Sequence, residues 1–150
     1  MKICFAGDLF LGGDFEEMAC SKVINSKLFS TADVRVVNLE QSISDSSLEL
    51  SKGTLHTPVS SAEKLSHLGV DVVNLANNHI QDKGPAGILD TIDALKENNI
   101  RYFGAGSDLV ASREPHWLAS DLVILGYCDF EKPHLNQVLV AGADSPGVNP

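Results

Sequence analysis

Three observations predict an α/β protein with a layered, mainly parallel sheet. Short Val/Ile/Leu-rich runs alternate with stretches of helical periodicity, the pattern of strand–helix–strand units. Those runs are nearly continuous in apolar residues, as in strands covered on both faces. The chain has 150 residues, 43% hydrophobic and 21% charged. That is about one domain, long enough to bury a core without disulfide or metal staples.

The elements follow in order. Lys2 to Ala6 reads as a strand that stops at Gly7-Asp8, and Gly12-Gly13 marks a flexible loop. A helix-like stretch runs from Phe15 to about Phe29. Val34 to Asn38 forms the second strand and leads into Leu39-Glu40. Residues Gln41 to Thr57 are Ser-rich and aperiodic, which predicts a loop. Ser60-Ser61-Ala62-Glu63 fits a capping box ahead of a short helix carrying Leu65 and Leu68. The third strand, Asp71 to Leu75, ends in Asn77-Asn78-His79. Pro85 suits a first helical turn, and Ile88, Leu89, Ile92 and Leu95 recur at helical spacing to about Glu97. Arg101 to Phe103 is a strand closed by Gly104-Ala105-Gly106, read as a tight turn because a third glycine is missing for a dinucleotide loop. A helical turn from Leu109 to Arg113 precedes a strand from Leu122 to Gly126. Beyond Tyr127 the periodicity ends among Pro133, Pro146 and Pro150. The tetrad Val-Val-Asn-Leu occurs twice, at Val36–Leu39 and Val72–Leu75.

Charge and cysteine content narrow the function. Twenty acidic against eleven basic residues give a net charge of −9 with no basic cluster, which argues against a nucleic-acid partner and favours cations. Three scattered cysteines, Cys4, Cys20 and Cys128, without a CxxC pair, fit reduced thiols, with Cys4 and Cys128 as core residues. No signal peptide and no apolar run long enough to span a membrane is present in the sequence as it stands, so a cytoplasmic location is expected. Residues ahead of Met1, if the natural chain has them, would instead allow envelope or membrane association.

Three strand ends place polar groups where an apolar run stops: Asp8, then Asn38 and Glu40, then Asn74, Asn77, Asn78 and His79. In a parallel sheet the carboxyl ends share one edge, where ligands bind. Carboxylate, amide and imidazole together suit Mn, Mg, Zn or non-haem Fe. Each has a blander reading: Asp8 as a turn former, Glu40 as an exposed carboxylate, Asn-Asn-His as a turn. His116-Trp117 reads as part of an approaching strand and His134 as a surface residue.

Gly7-Asp8-Leu9-Phe10-Leu11-Gly12, Val37-Asn38-Leu39-Glu40 and Leu75-Ala76-Asn77-Asn78-His79-Ile80-Gln81-Asp82-Lys83-Gly84 resemble the opening motifs of the CapA family. These are poly-γ-glutamate capsule-synthesis proteins of the calcineurin-like metallophosphoesterase superfamily. The resemblance spans roughly residues 2 to 128. It implies the N-terminal half of an αββα metallophosphoesterase-like fold with divalent metals at the strand ends. By position it implies Asp8 on a first metal, Glu40 bridging and Asn78 on a second metal. His79 would be the acid towards a leaving oxygen, oriented by Asp82, with Gly84 permitting the turn. Two cations about 3.5–4 Å apart can activate water and stabilise both oxygens of a phosphoryl transfer.

The chain departs from the superfamily pattern in two places. Phe10 stands where many superfamily members have a ligating His, a gap CapA proteins share. The later His-Trp-Gly and Gly-x-His-Pro-His elements are absent, since His116-Trp117 is followed by Leu118. The expectation is therefore a CapA-type domain over residues 1–150, incomplete at its C-terminal end and inactive alone. Its substrate would be a small molecule or polymer-linked, and its partners the capsule-synthesis machinery. A general metal-dependent phosphoesterase and a non-enzymatic assembly component that keeps the fold remain open alternatives.

Overall fold

The structure is a computed structural model that describes residues 1–16, 24–50, 54–128 and 138–150. Its centre is a four-stranded, all-parallel sheet of β1 (Ile3–Leu9), β2 (Val34–Leu39), β5 (Val72–Asn74) and β6 (Arg101–Phe103), in the order β1-β2-β5-β6. Between β2 and β5 lie two short parallel strands, β3 (Ser42–Ile43) and β4 (His56–Thr57). The helices are α1 (Lys27–Ser30), α2 (Glu63–Leu68), α3 (Gly84–Glu97) and α4 (Leu109–Ser112). β7 (Ala105–Gly106) pairs antiparallel with β10 (Gly147–Val148), and β8 (His116–Ala119) with β9 (Leu122–Ile124).

Period-two alternation sorts the strand residues onto two faces. Val37, Leu39, Val73 and Leu75 pack with Leu65, Ile88, Ile92 and Leu95 of α2 and α3 in the larger core. Val34, Val36, Val72 and Phe103 pack with Leu118 and Ile124 of the β8–β9 hairpin in the smaller one. Parallel crossovers are almost always right-handed, so strands laid side by side in chain order send their helices to one face. Among the described residues, the β8–β9 hairpin packs on the other face. Near β1 it is open: Phe5 is 61% exposed, Tyr127 63% and Leu125 44%.

Several expectations need correction. Of the expected helix from Phe15 to Phe29, residues 17–23, including Cys20, lie outside the described residues; on either side, Gly13–Glu16 is a 3-10 turn and Lys27–Ser30 the short α1, capped by Ser26, with no helix at residues 24–26. The capping box does not form. Pro58 starts a 3-10 turn at Val59–Ala62, which places both serines inside the helical segment, where Ser61 Oγ pairs with Thr57 Oγ1 at 2.6 Å. Leu89 is 38% exposed, off the buried stripe of α3. The Gln41–Thr57 loop contains β3 and β4, too short to show periodicity. The Leu122 strand joins a hairpin rather than the parallel sheet. The tail also folds back: Asn149 is buried, its N–H donates to the Gly104 carbonyl at 2.9 Å and its Nδ2 to the Gly126 carbonyl at 2.7 Å. Pro133 and His134 lie outside the described residues. Cys128 is buried and Cys4 partly so.

Candidate functional site

The carboxyl ends of β1, β2 and β5 lie on one edge of the sheet, in a register that pairs Asp8 with Asn38 and Asn38 with Asn74. The side chains at that edge form a directed chain of hydrogen bonds. Asn38 Nδ2 donates to Asp8 Oδ1 at 2.7 Å. Asn38 Oδ1 accepts from Asn74 Nδ2 at 3.0 Å and from Asn77 Nδ2 at 3.3 Å. Backbone groups anchor the far ends, since Asn74 Oδ1 accepts the Ala76 N–H, and Asn77 Oδ1 the N–H groups of His79 and Ile80. Every amide therefore has one orientation, and the chain ends on an exposed carboxylate.

Asn74 is held in place by glycine. Gly104 has φ +89°, and a Cβ there would stand 2.7 Å from Ala76 Cβ and 2.8 Å from Asn74 Oδ1. Gly126 lies against the same amide. Here the glycine is required both by its left-handed backbone and by the close approach.

Asn77 caps the 3-10 turn Asn78–Gln81, and this turn carries the second feature. His79 Nδ1 lies 2.8 Å from Asp82 Oδ2, three residues on, with the Asp82 side chain 6% exposed. A carboxylate is acceptor-only, so Nδ1 carries the proton and Nε2 is left for chemistry. Residues 49, 50 and 55 strap this turn from outside. The Leu55 N–H donates to Asp82 Oδ2 at 2.7 Å and the Leu50 N–H to the Asp82 carbonyl at 3.1 Å. Lys83 Nζ, itself buried, sits 3.3 Å from Glu49 Oε1. Replacing Asp82 by Asn should destabilise the fold by about 1–2 kcal/mol, as a charge-assisted pair becomes neutral. It should also turn a single Nδ1–H tautomer of His79 into a mixture, read by nitrogen-15 shifts of the ring. An unaltered tautomer would show that Asp82 does not orient the imidazole.

The structure thus joins His79 to Asp82 and Asp8 to Asn38. Glu40 is tied to the same edge by its backbone, its N–H donating to the Leu9 carbonyl at 3.0 Å. No hydrogen bond or ion pair links the side chains of Asp8, Glu40, Asn78 and His79 to one another among the described residues, and no three His, Cys, Asp or Glu side chains there are grouped to hold a metal. The donors are of the right kind for a hard cation, but they are not a closed ligand set. The sequence marks Asn38, Asn74 and Asn77 as strand-end polar residues without disclosing the hub at Asn38. The signal was the repeated Val-Val-Asn-Leu tetrad, which the structure sets in register, Val36 on Val72, Val37 on Val73 and Asn38 on Asn74.

Fold and edge together define an α/β protein that presents a fixed polar constellation at the carboxyl ends of parallel strands. Residues 2–147 match the family model of the bacterial capsule synthesis protein PGA_cap, and the chain belongs to that family. A probable polyglutamine synthesis accessory protein of Mycobacterium tuberculosis (strain H37Rv) is 38% identical over 87 residues, 56% of this chain and 23% of that protein. The capsule biosynthesis protein CapA of Bacillus anthracis is 52% identical over 40 residues, 27% of this chain and 10% of that protein. These matched stretches span under a quarter of the length of either relative. Among the described residues, no helix is long and apolar enough to cross a membrane.

Proposed function

We propose that this chain supplies the strand-end part of a metal-dependent phosphoester-hydrolysing site in a protein of capsule-polymer synthesis. One observation carries the reading: a buried, strapped Asp82 holding His79 on the turn that follows β5, at the sheet edge where Asp8 stands exposed. In this reading Asp8, Glu40 and Asn78 hold divalent metal (Mn, Zn, Fe or Mg), His79 Nε2 serves as acid towards a leaving oxygen, and Asp82 fixes the tautomer. Bound metal would supply charge stabilisation and an activated water. The substrate would be a phosphoester on a small molecule or on a polymer, and the partners the synthesis machinery. The donor set is open, so the remaining ligands would come from outside these residues.

The test is calorimetry with Mn²⁺ beside hydrolysis of an aryl phosphate. The 150-residue chain should bind Mn²⁺ weakly, with Kd roughly 1 mM or above. Binding should be lost in Asp8→Ala, with hydrolysis near zero. A longer protein of the family should bind far more tightly and lose turnover in the variant matching His79→Ala. Tight binding of two metals by residues 1–150 would overturn the open-site reading, and Mn²⁺ binding indifferent to Asp8→Ala would overturn the ligand assignment. A second reading, an assembly component without catalysis, is favoured by the lack of a grouped acid/His triad among the described residues. A longer protein that binds metal and turns over nothing would select it.

A further inference from the structure

A cleft of about 350 Å³ opens beside the first residue of β6, between the end of α3 and the segment entering β8. It shares no side chain with the strand-end constellation. Arg101, exposed at its mouth, makes no side-chain hydrogen bond or ion pair among the described residues. The other cation lining it, Lys96, is already 3.4 Å from Asp93 Oδ1. Glu114 adds one negative charge. His116 contributes an imidazole whose Nε2 is shielded from solvent with no hydrogen-bond partner. Burial, and then the Arg101 charge, hold that imidazole below its ordinary titration range, so it is neutral near pH 7. Burial likewise raises the Tyr102 phenol, which stays protonated as a donor. Ile100 and Pro115 supply apolar wall.

A buried polar atom without a partner needs water or a ligand, and an unpaired guanidinium offers a planar fork that fits a carboxylate. Lys96 is offset by Asp93 and Glu114 adds a negative charge, which leaves Arg101 as the one unpaired lining cation among the described residues and suits a monoanion better than a phosphate dianion. We propose that this cleft binds an organic monocarboxylate, its carboxylate on the Arg101 guanidinium and His116 Nε2–H and its apolar body against Ile100, Tyr102 and Pro115. The site is independent of the strand-end chemistry.

The experiment is an NMR titration of the isotope-labelled chain with benzoate, benzamide and inorganic phosphate, following the Arg101 Nε–H and the His116 ring. Benzoate should give saturable shifts at both, and benzamide, which has the same shape without the charge, should bind at least about tenfold more weakly. Arg101→Gln, at an exposed position, should weaken benzoate at least about tenfold with an unaltered circular dichroism spectrum. His116→Gln, which keeps a donor, should retain more affinity than His116→Phe. Asp8→Ala should leave benzoate binding unchanged. The proposal is overturned if benzamide matches benzoate, if phosphate binds more tightly than benzoate, or if Arg101→Gln binds benzoate as well as the parent.

Discussion

Replacing Asn38 by Ala should lower stability by about 2 kcal/mol, which for a domain of this size is a fall in Tm of roughly 4–8 °C. The Asn38 side chain is hydrogen-bonded to Asp8, Asn74 and Asn77 at once. The cost is bounded because Asn77 Nδ2 keeps the Leu39 carbonyl at 2.9 Å, and Asp8 is exposed and can turn to water. Asn38→Asp is the sharper experiment. Aspartate keeps the acceptor for Asn74 and Asn77 but replaces the donor facing Asp8 by a second carboxylate. Two carboxylates at that separation raise the folded pKa of the pair above its unfolded value. The unfolded chain then binds fewer protons in that range, so the variant is relatively most stable below about pH 4 and loses stability as pH rises through the raised value. Mn²⁺ should restore it, because a cation that binds the folded pair adds stability by mass action. Melting curves of Asn38→Ala and Asn38→Asp with and without Mn²⁺ decide the matter: a rise confined to Asn38→Asp is expected. Equal, unaltered curves for both variants would remove Asn38 from any organising role.

The second large effect is self-association. The face away from α2 and α3 bears a cleft of about 330 Å³ lined by Phe5, Leu125 and Tyr127, all substantially exposed. Beside it β1 is the outermost strand of the sheet, and an outer strand with an apolar neighbour recruits other chains. Burying each of these side chains would contribute about 1.5–3 kcal/mol. Opposing this is the net charge of −9, whose reach shrinks to about 10 Å at 0.1 M salt. The chain should therefore be monomeric in dilute buffer and associate as salt rises, and Phe5→Ser with Tyr127→Ser should abolish the trend. Light scattering over a salt series checks it. A monodisperse monomer at every salt, with aryl-phosphate turnover lost in His79→Ala, would show a self-sufficient fold.

The parts of the molecule legible in the sequence are those with an apolar run or a helical period. β1, β2, β5 and β6 stand out as apolar runs and α3 by its i, i+3, i+4 spacing, each placed within a few residues, and Pro85 stands in the first turn of α3 as its chemistry requires. β3, β4 and β10 are two residues each and have no period to read. The capping box fails because Pro58 pre-sets the turn before the serines can act. At the site, Asp8, Asn38, Asn74 and Asn77 were visible as polar strand ends. That they share a hub at Asn38 depends on contacts 30 to 39 residues apart, which local pattern does not encode. The Leu55 N–H on Asp82 is of the same kind: any residue type but proline could donate it.

The twin tetrads raise a question of strand sorting during folding. β2 and β5 present the same Val-Val-Asn-Leu ending, so neither apolar match nor register distinguishes which belongs beside β1. The flanks differ, and one difference comes three residues after each asparagine. Gln41, fully buried, accepts the Leu11 N–H beyond β1, whereas Asn77 donates to the Leu39 carbonyl of β2. Each amide clasps the strand on its β1 side with the opposite sense of hydrogen bond, and the longer one also donates to the Thr57 hydroxyl beside β3. Exchanging the two strands would present the shorter side chain to the Leu11 N–H and leave Thr57 without its clasp. These two clasps favour the observed strand order over its exchange, and Gln41→Asn should slow refolding, measured by stopped-flow, more than it lowers final stability.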